Sequence, residues 1–267
     1  GRPLVVTKLG LPFGLGVIYD FYVNSLDSDT QFIGFNNGFY DTLNHKLLTN
    51  NLSQYMVSET VGYDYVDEIS DENDNLMRLL RTILPDETIL IKLLEDTAQC
   101  IFSSVNKIMI FCGDSHAIDA YIELIRCSLG KYYTRISSDL IKTGGRSDGI
   151  ELELLSLIHK RIVSCELRDN NIDIGKCAEL TGKRDPLIAR KLHNECVEFM
   201  PMCGLMIICD TIPQFDKKYQ DMVHVTKFPH CSENEYLLNY LNGRNQINGN
   251  DFMRLLEDTS IIKKYKI

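Results

Sequence analysis

The sequence lacks the features that mark membrane, secreted and zinc-stabilised proteins. None of its hydrophobic runs approaches the length of a membrane-spanning helix, and the N-terminal GRPLVVTK has no signal-peptide pattern. Its nine cysteines never form a Cys-x-x-Cys pair, which argues against a zinc site and against a disulfide framework. We therefore expect a soluble intracellular protein with reduced cysteines in its core.

The sequence also lacks an excess of positive charge. Its 28 lysines and arginines against 37 acidic residues give a formal net charge of -9, which by itself disfavours nucleic-acid binding. The charge is uneven, however. Acidic residues crowd positions 59–96, whereas five basic or histidine residues fall close together: Lys183, Arg184, Arg190, Lys191 and His193. Because a protein that holds DNA in a channel needs positive charge only along the channel, the net charge does not decide the matter.

The order of hydrophobic patterns predicts an α/β fold. A hairpin is expected from Phe32, where two short apolar runs flank an Asn-Asn-Gly turn. Helical patterns cover 76–83, 87–102 and 150–158, and a second hairpin is expected over 187–199. Apolar runs typical of buried strands alternate with these helices, which indicates a mostly parallel central sheet.

Three of the apolar runs end in polar residues that could share one site. They stop before Gly113, before Glu166 and before Asp210. In an open parallel sheet, ligands collect at the carboxyl ends of the strands. A phosphate loop, a carboxylate that orients magnesium and a polar sensor would meet there around one nucleotide. For Glu166 taken alone, a carboxylate on an exposed loop is the simpler interpretation.

The order of these segments resembles poxvirus-type helicase-primases and superfamily 3 helicases. The segment CGDSHAIDAYIELIRCSLG is similar to their phosphate loop and following helix, and KRIVSCELRD to their second acidic motif. ELTGKRDPLIARKLHNECVEFMPMCGLMIICDTIPQFD is similar to their hairpin and sensor region, and FNNGFYDTLNHKLL with YMVSETVGYDY to the segment before the ATPase. The resemblance covers roughly residues 32–230.

The resemblance implies a P-loop NTPase core, AAA+-like, with a parallel central sheet and a small hairpin-plus-helical domain before it. It divides the chain into an N-terminal arm (1–31), a pre-ATPase segment (32–104), the ATPase core (105–232) and a C-terminal helical segment (233–267). Since 31 residues are too few for the primase portion of the family, we expect a fragment or a stand-alone relic.

The resemblance also assigns functional residues. Glu166 and Asp210 take the catalytic positions, and ATP with Mg²⁺ is the implied cofactor, with no other metal. The DNA backbone would be contacted by Arg190, Lys191 and His193 on the hairpin, for which a solvated turn is the alternative. The degenerate phosphate loop comprises Gly113, Asp114, Ser115, His116, Ala117, Ile118 and Asp119.

Several departures from the family predict that ATP binding and hydrolysis are lost. The loop has no lysine. Whether the family's loop spacing is counted strictly from Gly113 or taken one residue shorter, Ile118 and Asp119 fall among the positions of the lysine and its neighbours, which contact the phosphates. The sensor asparagine is replaced by Asp210, and the region of the arginine finger offers only His224 and Lys227. We therefore expect an inherited loop that no longer binds ATP in the usual way. The alternative is an unusual active site whose cation comes from Lys142 or Arg146.

Three hypotheses follow for the function. The first is a degenerate helicase-like module that serves viral or mobile-element DNA replication as a DNA-binding or scaffolding subunit, inside the host cell. The second is an active helicase with an atypical loop, and the third is a protein-interaction domain that uses the acidic stretch 68–74. The implied partners are single-stranded or forked DNA, replication proteins and other copies of the chain, which in the family form hexamers.

Overall fold

The structure is a computed structural model that describes most of the chain. The described residues are 25–27, 29–50, 55–68, 73–103, 107–144, 150–169, 171–182, 185–190, 196–244 and 246–257. The N-terminal arm before residue 25, Arg146, Lys183, Arg184 and the hairpin tip 191–195 lie outside them. Predictions made for those segments remain predictions.

The N-terminal part forms a small antiparallel sheet. The predicted hairpin is confirmed as β1 (Phe32–Phe35) and β2 (Gly38–Asp41), joined at Asn36 and Asn37. A third strand that the sequence did not predict, β3 (Lys46–Leu48), pairs with β2 on its other side. Its three residues are exposed or half-buried, and such a short strand is too short to show an alternating pattern in the sequence.

A five-stranded sheet forms the centre of the molecule, and all of its strands are parallel. In sheet order the strands are β10 (Val223–Phe228), β4 (Ile108–Gly113), β9 (Gly204–Cys209), β6 (Ile162–Leu167) and β5 (Tyr133–Ile136). The predicted α/β architecture with a parallel central sheet is confirmed. The two edge strands, β5 and β10, were not predicted, because their partly exposed, mixed residues resemble loops.

Seven helices of the described chain cover the sheet. They are α1 (Asn73–Ile83), α2 (Glu87–Phe102), α3 (Ser115–Leu129), α4 (Ile150–Leu155), α5 (Ile174–Leu180), α6 (Glu235–Leu241) and α7 (Gly249–Glu257). The predicted helix over 87–102 is confirmed at both ends. It begins there because Asp86 accepts hydrogen bonds from the N–H groups of Thr88 and Ile89.

The direction of the strand connections explains how the helices divide between the two faces. The connection from β4 to β5 crosses two strands in one direction, and every later connection within the sheet runs back in the other. Because such crossovers are right-handed, the two directions place their helices on opposite faces. Accordingly, α3 shares one hydrophobic core with α1, α2, α6 and α7, whereas α5 and the second hairpin pack on the other face. A ligand-binding crevice is expected between β4 and β9, where this direction reverses.

The small N-terminal sheet is joined to the central sheet by buried polar contacts. The guanidinium of Arg161, which is 2% exposed, donates to the carbonyl of Phe32 at 3.0 Å. The Tyr132 hydroxyl accepts from the Gly34 N–H at 3.0 Å and donates to the Glu59 carbonyl at 2.8 Å. Because a buried polar group without a hydrogen-bond partner costs free energy, these bonds favour the packing of the two sheets. No helix of the described chain is both long and apolar enough to span a bilayer.

Candidate functional site

The carboxyl ends of the central strands form one rim, as predicted. The register aligns Phe111 of β4 with Ile208 of β9, and Ile208 in turn with Glu166 of β6. Gly113 ends β4 two residues beyond Phe111, and Asp210 follows β9 two residues beyond Ile208. The fold therefore brings Gly113, Glu166 and Asp210 to one rim, which the carboxyl ends of the strands form.

The turn between β4 and α3 is much shorter than the predicted phosphate loop. The strand ends at Gly113, Asp114 caps the helix, and α3 already begins at Ser115. The expectation that residues 115–119 lie in a loop is therefore wrong: they form the first turns of α3. Ile118, one of the candidates for the missing lysine position, is 2% exposed and packs in the core.

Asp114 occupies the place at the helix N-terminus where a phosphate would lie. Its Oδ1 accepts hydrogen bonds from the N–H groups of His116 at 3.0 Å and Ala117 at 3.2 Å. Its Oδ2 accepts from the N–H groups of Cys231 at 3.0 Å and Ser232 at 3.1 Å, and from the Ser232 hydroxyl. The carboxylate thus joins the start of α3 to the segment between β10 and α6.

Hydrogen bonds to Asp114 keep this carboxylate ionised although it is buried. Its side chain is 1% exposed, and the Nδ1 atom of His230 lies 3.0 Å from Oδ2. Burial by itself raises the pKa of Asp114, but the hydrogen bonds from Ser232, Cys231, Ala117 and His116 outweigh it and hold the pKa well below its usual range. The anion-binding position at the N-terminus of α3 is therefore filled by an anion of the chain itself.

Gly113 has a structural role in this turn. Its φ of 116° lies in the region that favours glycine. A Cβ atom there would collide with the backbone of Phe228 in the neighbouring β10. The glycine that the sequence marks as the start of a phosphate loop therefore permits the close approach of β10.

Glu166 is held by arginines. Its carboxylate pairs with Arg135 of β5 and, at 3.4 Å, with the Nε atom of Arg168. The three side chains are 41%, 59% and 87% exposed, so these ion pairs are worth little in stability. They do place two positive charges beside the carboxylate proposed to orient magnesium. Among the described residues, no group of three or more metal-ligating side chains is found.

Asp119 adds a further acidic group near this rim. It is exposed on α3, and partial burial raises its pKa, with Glu166 acting in the same direction and His116 and Arg135 opposing it. Asp210 is exposed directly after β9.

Burial raises the pKa of Cys209 to about 11, and Cys112 and Asp210 add to this effect. The Cys209 thiol therefore stays protonated at neutral pH.

Two of the residues considered as replacements for the missing cations, Lys142 and His224, have other partners. The Lys142 ammonium lies 3.1 Å from the carboxylate of Asp169. His224 belongs to β10, and its Nδ1 atom lies 2.6 Å from the carboxylate of Asp96 on α2. Lys227 is exposed on the same strand. Only Arg146, the other candidate, lies outside the described residues.

The predicted second hairpin is confirmed between β6 and β9. Its strands are β7 (Leu187–Arg190) and β8 (Cys196–Phe199), with Arg190 opposite Cys196. Of the proposed DNA contacts, Arg190 ends β7, and Lys191 and His193 lie outside the described residues. Ala189, Val197 and Phe199 are buried, whereas Ile188 is 64% exposed.

Sequence reasoning missed four residues of this rim: Arg135, Arg168, His230 and Ser232. One signal was available for the turn itself, because an aspartate directly before a helical pattern is typical of an N-cap. The partners from the β10–α6 segment gave no such signal. They lie more than 110 positions from Asp114 in the chain and meet it only in the folded state.

The fold is similar to that of solved structures at low sequence identity. The A form apo structure of the NrS-1 C-terminal region matches with a TM-score of 0.54 and 16% identity over 78% of this chain and 52% of that chain. Another apo structure of this region gives a TM-score of 0.51 with 14% identity at the same coverage. A JCV helicase with a bound acetamide compound has a TM-score of 0.47 at 11% identity, covering 75% and 56%, which is too low to support an argument.

The chain spans about half the length of the NrS-1 structures it matches. No protein-family model matches the sequence, and no curated protein matches it. At such identities the likeness shows the fold alone. The chain has an α/β fold built on a five-stranded parallel sheet, and this fold is similar to that of the NrS-1 C-terminal region.

Proposed function

We propose that the chain is a degenerate superfamily 3 helicase-like module with weak or no ATPase activity. In this proposal it serves viral or mobile-element DNA replication as a DNA-binding or scaffolding subunit. The fold, the shared rim of strand ends and the hairpin between β6 and β9 support a helicase-like origin. Ring assembly of several copies belongs to the same proposal, and sedimentation of the protein with and without DNA tests it.

The observation that carries the proposal is the single-residue turn at Asp114. Phosphate loops bind a triphosphate through free backbone N–H groups at a helix N-terminus. In α3 the N–H groups of His116 and Ala117 already donate to Asp114. A triphosphate at this position would have to displace a buried carboxylate and would be repelled by it. The turn therefore favours a fold that is retained and a nucleotide chemistry that is lost.

Titration with a fluorescent ATP analogue and magnesium tests this proposal. We expect no saturable binding in the low-micromolar range, because the anion position is filled by Asp114. Saturable binding that disappears in Lys142→Ala or Arg146→Ala would instead support an active helicase with an atypical loop. Saturable binding that both variants retain would also contradict the proposal, since ATP would then bind without these cations.

The hairpin carries the proposed DNA contact. Replacing Arg190 and Lys191 together by alanine is expected to weaken single-stranded DNA binding and to reduce the salt slope by up to about 1.4, because each lost phosphate contact on a single strand contributes about 0.7. The measurement is DNA affinity at several salt concentrations. Lys217→Ala with Lys218→Ala is the matched control, since this exposed pair lies outside the hairpin. An unchanged slope in the hairpin variant would contradict the DNA contact.

A protein-interaction role is the second candidate, and the hairpin itself gives the reason. Ile188 is 64% exposed and pairs across the hairpin with the exposed Glu198. Met200, which directly follows β8, is 49% exposed. Apolar and acidic side chains of this kind suit a protein surface better than a phosphate backbone. If single-stranded DNA does not bind at all, this role becomes the better proposal.

A further inference from the structure

The edge strand β10 has one side without a partner strand. It pairs with β4, and no other strand of the described chain pairs with it. The carbonyls of Met222 and Phe228 accept hydrogen bonds from β4 and from Asp114 directly after it. In a parallel ladder alternate residues bond to the same neighbour, so Val223, Val225 and Lys227 direct their N–H and C=O groups away from the sheet. These groups are available to an added strand.

A groove of about 400 Å³ runs along this edge, between β10 and the first turns of α2. Successive residues of a strand point to opposite faces, and residues of both faces of β10 line the groove. It therefore opens along the edge of the strand. Two exposed apolar side chains contribute to it, Ile89 (40% exposed) and Val225 (38%). The lining residues are Thr88, Ile89, Lys92, Asp96, Gln220, Val223, His224, Val225 and Thr226.

The groove is positively charged, although the chain as a whole is acidic. Asp96 is the only acidic residue of the lining, and its carboxylate is 3% exposed. It contacts the ammonium groups of Lys107 and, at 3.0 Å, of Lys92. Within the lining Lys92 balances Asp96. The excess of positive charge comes from two lysines beside the lining, the buried Lys107 and, further along the strand, the exposed Lys227.

We propose that this groove binds an extended, acidic peptide segment of a partner protein, which adds to β10 as a sixth strand. Main-chain hydrogen bonds to Val223, Val225 and Lys227 would give affinity, and alternate side chains would contact the apolar and the basic residues of the groove. This surface lies at the edge of the sheet and is independent of the hairpin and of the nucleotide position.

Other occupants fit the same surface less well. In a second copy of the chain, the positive groove would meet an identical positive groove, and a lysine on an edge strand discourages pairing between copies. Single-stranded DNA is usually held by large aromatic side chains that stack on the bases, and the lining contains no phenylalanine, tyrosine or tryptophan. Unpaired N–H and C=O groups in a row match a peptide backbone.

Fluorescence anisotropy with two blocked peptides tests the proposal. One peptide alternates valine with glutamate, and its matched control alternates valine with lysine. We expect saturable binding of the acidic peptide, weaker at high salt, and no binding of the basic one. Val225→Pro removes an outward N–H without touching the ladder to β4, and we expect about tenfold weaker binding from it. Val225→Ala is the control and should stay within about threefold, because the backbone groups remain.

Lys92→Glu provides a second variant in case Val225→Pro does not fold, which thermal unfolding will show. It reverses the charge of the groove and should weaken acidic-peptide binding by about tenfold. The proposal is overturned if the acidic peptide does not bind, if both peptides bind equally, or if folded Val225→Pro and Lys92→Glu both bind like the unmodified protein. Competition by single-stranded DNA, or self-association that Val225→Pro abolishes, would assign the surface to DNA or to a second copy instead.

Discussion

Gly113→Ala is expected to be the most destabilising single substitution at the rim. The residue has a φ of 116°, and an added Cβ would overlap the Phe228 backbone, which cannot move without displacing β10 from β4. Backbone strain and the collision together should cost about 3 kcal/mol or more in the free energy of unfolding. Denaturant unfolding followed by circular dichroism measures this loss.

Gly62→Ala separates the two causes. Gly62 has a similar φ of 97°, but nothing lies within 4 Å of an added Cβ there. We expect a loss of about 1 kcal/mol from backbone strain alone. Equal losses at the two positions would mean that β10 does not approach Gly113 as closely as the structure shows.

Asp114→Ala is expected to lower the free energy of unfolding by about 3 kcal/mol. The substitution removes the cap of α3, which is typically worth about 1 kcal/mol. It also leaves the N–H groups of Cys231 and Ser232 without their carboxylate partner. Because both residues are only half-buried and water can reach them, each lost bond should cost about 1 kcal/mol. A thermal scan should show a midpoint lower by roughly 6–12 °C.

The matched control for Asp114 is Asp86→Ala. Asp86 caps α2 with the same pattern, at 2.9 Å and 3.1 Å from two helix N–H groups, but it is exposed. We expect the loss of a single cap there, about 1 kcal/mol. If the two aspartates prove equally important, the bond between the start of α3 and the β10–α6 segment contributes nothing to stability.

Asp114 also makes the free energy of unfolding depend on pH. Because the pKa of Asp114 is lowered in the folded state, its contribution is complete above the pKa of the unfolded chain, about 4. It is lost as the pH falls through the lower, folded pKa. The difference in stability between the unmodified protein and Asp114→Ala should therefore be constant from neutral pH down to about pH 5 and shrink below it. A difference that does not change with acid would contradict the ionised, hydrogen-bonded carboxylate.

The parts of the fold that the sequence predicted are those with strong local patterns. The helix over 87–102 combines an aspartate cap with apolar residues at helical spacing, and the strands β4, β6 and β9 are buried apolar runs. The edge strands β5 and β10 were missed, since their exposed sides carry polar residues such as Arg135 and Lys227. A strand at an edge is decided by its neighbour in the sheet, which a local pattern does not contain.

The candidate site shows the same division between sequence and structure. The sequence by itself determined that β4, β6 and β9 end in polar groups and that the turn after Gly113 contains no lysine, because both facts depend only on the order of residues. Only the tertiary structure decided what fills the helix N-terminus. The Asp114 carboxylate can stay buried and ionised there because donors from the distant Cys231 and Ser232 reach it when β10 packs beside β4.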